Sequence, residues 1–273
     1  MTHPRPFRFG VMAANARSSV EWIETAKKAE GLGYSTLVMP DHFAGQLAPI
    51  AALTVAATVT ETLRVGTLMF ATGIAHDRPR VPINRMIEAI AVLRGLWAGE
   101  PFSYSGDHCS ITEMGGTPMP VQSGGPPIAI GGGGQRVLST AARVADIVGV
   151  NPNVSEGKFG AGAIASMSAE EAERKLGWVR GAAGDRFDDI EISMLKFVTT
   201  VTDDRDAVAA KVGACMGMDA AAILASPHTR VGPAEQIVDE LREQRDRWQG
   251  SYVTVQSNAI DSFAPVVAAL SGT

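Results

Sequence analysis

Short apolar, β-branched runs alternate along this chain with longer stretches whose apolar positions recur every three or four residues. The first pattern is that of strands and the second that of helices. "FRFGVMA" (7–13), "STLVMP" (35–40), "LRVGTLMFA" (63–71), "PPIAIG" (126–131), "DIVGVNP" (146–152), 190–201 and 251–256 predict seven strands. Helices are predicted from Ser18 to Gly31 or Gly33, and over 49–60, 83–98, 135–145, 169–182, 204–225, 233–248 and 259–270. Ser18 with Glu21 has the form of a capping box, and Val20, Ile23 and Ala26 would face the core. Ile83, Ile87, Ile90, Leu93 and Leu96 share one helical face. "EPFSYSGDHCSITEM" reads as a polar hairpin, "GGTPMPVQSGG" as a loop, and the Gly/Ala/Ser-rich 153–168 as a long mobile loop.

Strands alternating with helices imply an α/β fold with a parallel sheet, and flat apolar strands imply one covered by helices. A (β/α) barrel has eight units, and seven are found. The expectation is therefore an α/β, TIM-like (β/α) barrel shortened to about seven strands, forming a single domain over residues 1–273.

Composition narrows this picture only by exclusion. Of 273 residues, 45% are hydrophobic and 19% charged, with a net charge of −5 and no clustered basic stripe. Nothing resembles a nucleic-acid surface, and no apolar run approaches the roughly 20 residues of a membrane helix. "MTHPRPFRFG" lacks a signal-peptide apolar core. Cys109 and Cys215 have no metal or disulfide spacing, so no metal and a cytoplasmic setting are expected.

Two places can carry chemistry. Asp41 and His42 end the second strand, where a barrel presents residues to its active-site mouth. A carboxylate beside an imidazole can orient or charge it for proton transfer. The alternative is that Asp41 caps a turn and His42 is a satisfied histidine. Gly131, Gly132, Gly133 and Gly134 lie between a strand and the helix opening near Gln135 or Arg136. Backbone N–H groups there can approach a phosphate, with Arg136 adding a charged contact. The alternative is a tight turn that needs positive φ. His76-Asp77 falls in a Pro-rich loop and His108 on the hairpin, both read as structural or solvated. The four tryptophans lie in helical segments. Met12, Met39 and Met69, in or at the ends of strands, suit either a pocket wall or plain core.

Five phrases, "AEGLGYSTLVMPDHF" (29–43), "LRVGTLMF" (63–70), "NRMIEAIAVLRGLWAGEPFSYSGDHCSI" (84–111), "PPIAIGGGGQRVLSTAARVADIVGVNP" (126–152) and "HTRVGPAEQIVDELRE" (228–243), together resemble the luciferase-like monooxygenase superfamily, closest to its coenzyme F420-dependent branch. The resemblance implies a deazaflavin or flavin in the carboxyl-terminal mouth. It implies that Asp41 and His42 lie beside the ring, His42 transferring a proton. It places a bulge with a non-proline cis peptide at Leu68-Met69, and phosphate at Gly131–Gly134. One unit departs from the family: "GTLMFA" runs directly into "TGIAHDRPRVPINRM", so about 40 residues, a strand and helix with a cofactor-contacting turn, are missing on the fold's usual spacing.

The implied activity is F420-dependent hydride transfer to or from a small organic substrate, with residues 151–168 as a lid and a homodimer as the expected assembly. The alternatives are an FMN-dependent monooxygenase of the same fold, and a barrel that lost catalytic parts and serves as a binding protein or subunit. With one unit gone, the strands either close into a narrower barrel or leave edges for a partner to cover.

Overall fold

A computed structural model describes residues 5–41, 45–70, 80–154 and 160–273. Seven strands form one parallel, curled sheet: β1 (Arg8–Met12), β2 (Thr36–Asp41), β3 (Arg64–Phe70), β6 (Ala129–Gly132), β7 (Ile147–Val150), β8 (Glu191–Leu195) and β11 (Gly250–Gln256), in the order β3-β2-β1-β11-β8-β7-β6. That order is the circular order of a (β/α) barrel with its fourth position vacant. β3 and β6 are the two edges, and the described residues give them no hydrogen-bonded ladder to each other. Among the described residues the shortened barrel is therefore open.

Alternation along each strand explains which side is covered. Phe9 and Val11, Leu37 and Met39, and Val253 and Val255 pack beneath α1 (Ser19–Gly31), α2 (Pro49–Val59), α9 (Ala234–Trp248) and α10 (Ala264–Leu270). Val148, Val150, Ile192 and Met194 pack with α4 (Gln135–Val144) and α6 (Ala169–Ala183). Each such side chain removed from water contributes about 1.5–3 kcal/mol. Met39 thus belongs to the helix-side core and not to a pocket wall. The concave side carries the intervening residues, among them Gly10, Gly66, Gly131, Gly149, Ser193 and Thr254. Its amino-terminal floor is closed by Arg8, which pairs bidentately with Glu191 (3.0 and 2.5 Å) and lies 3.9 Å over the Tyr252 ring.

Several local expectations change. Ser18 caps α1 by accepting the Glu21 N–H, but the Glu21 carboxylate turns to the Arg17 N–H at 2.5 Å, so the box is not reciprocal. Val20 is 61% exposed, and the buried face is Trp22, Ala26 and Ala29, because α1 lies on the sheet through the Trp22 side. α3 (Arg80–Trp97) starts three residues earlier than its apolar pattern, and Leu93 is exposed while Ile90 is buried. The polar segment forms the antiparallel pair β4 (Phe102–Ser105) and β5 (Ser110–Met114). Glu88 of α3 accepts the N–H groups of Asp107, His108 and Cys109 in its turn. Desolvation would raise the Glu88 carboxyl, but these donors outweigh it and hold it below the usual carboxylate range. His108 is accordingly a hairpin residue.

The single strand expected over 190–201 breaks after Leu195, and β9 (Val198–Val201) leaves the main sheet to pair with an unexpected strand, β10 (Thr229–Gly232). The break occurs where Lys196 buries its ammonium against Pro227 O (2.6 Å) and Gln244 Oε1 (2.8 Å). The predicted helix at 204–225 becomes α7 (Arg205–Met216) and α8 (Ala220–Ala225), divided at Gly217 with φ +69°. The expected loop 153–168 contains α5 (Ala161–Ala165), with Ala163 and Met167 buried; residues 155–159 fall outside the description. Its Ala-rich stretch is helical because a packing surface exists for it.

Candidate functional site

All seven strands of the curled sheet are parallel, so their carboxyl ends share one rim. Asp41 is the last residue of β2, in register with Phe70 of β3. His42 lies outside the described residues, as do His76 and Asp77. Between β2 and β3 the register runs Met39 to Thr67 and then Pro40 to Met69, which leaves Leu68 as an extra residue. This is a β-bulge at the position the family resemblance indicates, but the non-proline cis bond expected there is not found: among the described residues the cis peptide is Thr117-Pro118. Such bulges bend a strand and re-aim its neighbours.

Across the rim, Gly131 and Gly132 end β6, Gly133 makes the turn and Gly134 is the N-cap of α4. None of the four has positive φ, so the tight-turn explanation fails. Close approach explains the middle two. A Cβ on Gly133 would stand 2.5 Å from the backbone N and Cα of Asn153, and one on Gly132 would stand 1.9 Å from Val137 Cγ1. A Cβ on Gly134 would meet nothing within 4 Å. Gly134 supplies no side-chain cap, so the first-turn N–H groups of α4 are open to an anion, and the helix dipole favours one there. Beside them is a cleft of about 360 Å³ whose lining includes Gly133, Gly134, Gln135, Asn153 and Arg174. Gln135 and Arg136 are exposed, and the Arg136 guanidinium donates to Asn84 Oδ1 at 3.5 Å, toward α3.

The wall behind the turn consists of residues that sequence reasoning missed. The Asn151 N–H donates to Gly132 O (3.0 Å), and the Asn153 N–H donates to Ser166 Oγ (2.7 Å). Lys175 of α6, fully buried, donates to Asn151 O (3.0 Å) and Ser166 O (2.8 Å), and burial lowers its pKa to about 8. In the sequence Lys175 is one more lysine in a charged helix, and only the packing of α6 distinguishes it.

What the structure brings together is a common rim for Asp41, the Leu68 bulge and the glycine turn. Among the described residues no fourth strand stands between β3 and β6. Among the described residues no group of three or more His, Cys, Asp or Glu could hold a metal ion, and no helix is long and apolar enough to cross a membrane.

Comparison with known proteins agrees with this architecture. A 5,10-methylenetetrahydromethanopterin reductase from Archaeoglobus fulgidus is 29% identical over 203 residues, covering 70% of this chain and 54% of that protein. The match thus spans about half the length of that relative. An F420-dependent secondary alcohol dehydrogenase, solved with an F420-acetone adduct, superposes with a TM-score of 0.71 at 16% identity, over 97% of this chain and 99% of its own. The coenzyme F420-dependent tetrahydromethanopterin reductase from Methanopyrus kandleri gives 0.69 at 15% identity, over 96% and 98%. A long-chain alkane monooxygenase gives 0.73 at 12%, over 97% and 91%. At these identities the structural likeness speaks for the fold. The sequence model of the luciferase-like monooxygenase family matches residues 69–273. Three quarters of the sequence is covered by that match, and the chain belongs to the luciferase-like monooxygenase family.

Proposed function

We propose that the protein is an oxidoreductase that uses coenzyme F420 at the carboxyl-terminal rim to act on a small organic substrate. The observation that carries the reading is the glycine turn, where α4 begins at Gly134 without a side-chain cap beside an open cleft. That turn fits a phosphate, and it shares its rim with Asp41 and the Leu68 bulge. Two F420-dependent enzymes among the structural neighbours support the choice of cofactor.

The residues then divide the work. The backbone N–H groups from Gly133 to Arg136 would hold the phosphate, with Gly131 and Gly132 keeping the approach clear. Leu68 and Met69 would support one face of the ring. His42 would exchange a proton with the substrate, and Asp41 would orient the imidazole. When bound, the deazaflavin supplies a carbon, C5, that carries hydride.

Titration with F420 and FMN, followed by the His42→Ala variant, tests the proposal. F420 should bind with a micromolar or tighter constant. His42→Ala should lower turnover by about 10²–10⁴, the usual contribution of a positioned acid–base group, with a small change in binding. Unchanged turnover removes His42 from the mechanism. The FMN-dependent monooxygenase reading is favoured by the fold shared with a long-chain alkane monooxygenase, and predicts tight FMN binding and a yellow protein. The non-catalytic reading is favoured by the open edge between β3 and β6, and predicts no turnover with any deazaflavin–substrate pair.

A further inference from the structure

We infer that Lys175 is a positioning residue for the anion site, a buried ammonium that clamps the wall behind the glycine turn and places a positive charge at its back. This inference rests on the phosphate-binding role proposed above for Gly131–Gly134. Lys175 sits in the middle of α6 with no exposed surface, where lysine is seldom tolerated unless its charge is used or paired. Its hydrogen bonds run to two backbone carbonyls, those of Asn151 and Ser166.

Those carbonyls belong to the two segments that enclose Gly133. Asn151 follows β7 and its N–H returns to Gly132 O. Ser166 follows α5, and its hydroxyl accepts the Asn153 N–H. The Asn153 backbone is what denies Gly133 a side chain. Ammonium, carbonyls, Asn153 and the turn therefore form one packed unit. A methionine at position 175 would fill similar volume and leave both carbonyls without their donor.

The charge contributes separately from the geometry. Burial lowers the amine to about 8; Glu171 of its own helix raises it and Arg174 lowers it further. His228, from the side of β9 and β10, also feels Lys175, and burial keeps it neutral at neutral pH. Near pH 8 the amine loses its charge but keeps N–H groups for both carbonyls. A purely structural clamp would be indifferent to that change, whereas an anion held in front of it would not.

The test measures affinity for F420 and for its phosphate-free deazariboflavin fragment, in the whole protein, at pH 7 and pH 9. Both ligands share the ring, so their affinity ratio cancels ring ionisation. In wild type the F420 preference should fall by about threefold or more across this range. Lys175→Met should lower F420 affinity by about 10–100-fold, leave the fragment within about twofold, and give a preference that no longer varies with pH. Equal losses for both ligands, or the same pH profile in wild type and variant, would overturn the inference. If Lys175→Met does not fold, the wild-type profile decides, and a preference constant from pH 7 to pH 9 refutes the role. A wild type with no preference for F420 over the fragment removes the phosphate-binding reading, and this inference with it.

Discussion

Replacing His228 by Gln should remove a defined part of the acid lability of this protein. His228 precedes β10, is completely buried, and meets Phe197 edge to face at 6.1 Å. Its Nδ1 lies 3.1 Å from Leu195 O, which assigns the proton to that nitrogen and leaves Nε2 bare, buried and unpartnered. Burial, with Lys196 as the next contributor, lowers its pKa from 6.5 to about 3. The native state therefore resists a proton that the unfolded chain accepts readily. Between these two values the unfolded chain binds more protons, so stability is intact above pH 6.5 and declines as pH falls toward 3. The whole effect is about 5 kcal/mol, and about 2 kcal/mol of it is lost by pH 5. Urea unfolding at pH 7.5 and pH 5.0 measures this for wild type and for His228→Gln. Wild type should lose about 2 kcal/mol more than the variant over that interval. The remaining histidines are common to both proteins and cancel. An equal loss in the two proteins would refute the reasoning, and so would an NMR titration of the His228 ring near pH 6.5, which needs no variant.

Other outcomes follow from the same geometry. Gly133→Ala forces a Cβ against the Asn153 backbone and should cost about 1–3 kcal/mol in thermal or urea unfolding. Gly134→Ala meets nothing within 4 Å and should cost less than about 1 kcal/mol, the loss of a mild N-cap preference. Glu191→Gln removes the negative charge and one of the two acceptor oxygens facing the Arg8 guanidinium, which stays charged, and should cost about 1–3 kcal/mol, read by urea unfolding. Glu88→Ala frees three turn N–H groups, so limited proteolysis should cut near Asp107 sooner. Because the Glu88 carboxyl is held below its usual range, the hairpin of wild type should become equally susceptible only as pH falls and that carboxyl protonates.

The order of elements was legible because period is a local property. Three- and four-residue spacing marks a helix and flat apolar runs mark a strand wherever they fall, and Gly33 and the Ser18 cap supply the punctuation. The missing unit was legible for the same reason, since seven strands could be counted. Four glycines before a helix also flagged a rim site, although the sequence could not say that Gly133 is required by Asn153, 20 residues further on, and not by its own φ.

What the sequence by itself determined is the alternation of strands and helices, and with it the parallel sheet whose strand ends carry Asp41, the Leu68 bulge and the glycine turn. Only the tertiary structure decided that the sheet stays open between β3 and β6, that the strand at 190–201 breaks at Lys196, that Met39 faces helices, and that Lys175 stands behind the turn. Those outcomes depend on which surfaces meet across long separations. Burial, edge pairing and the partners of a charge are set by that meeting, and no local pattern encodes them.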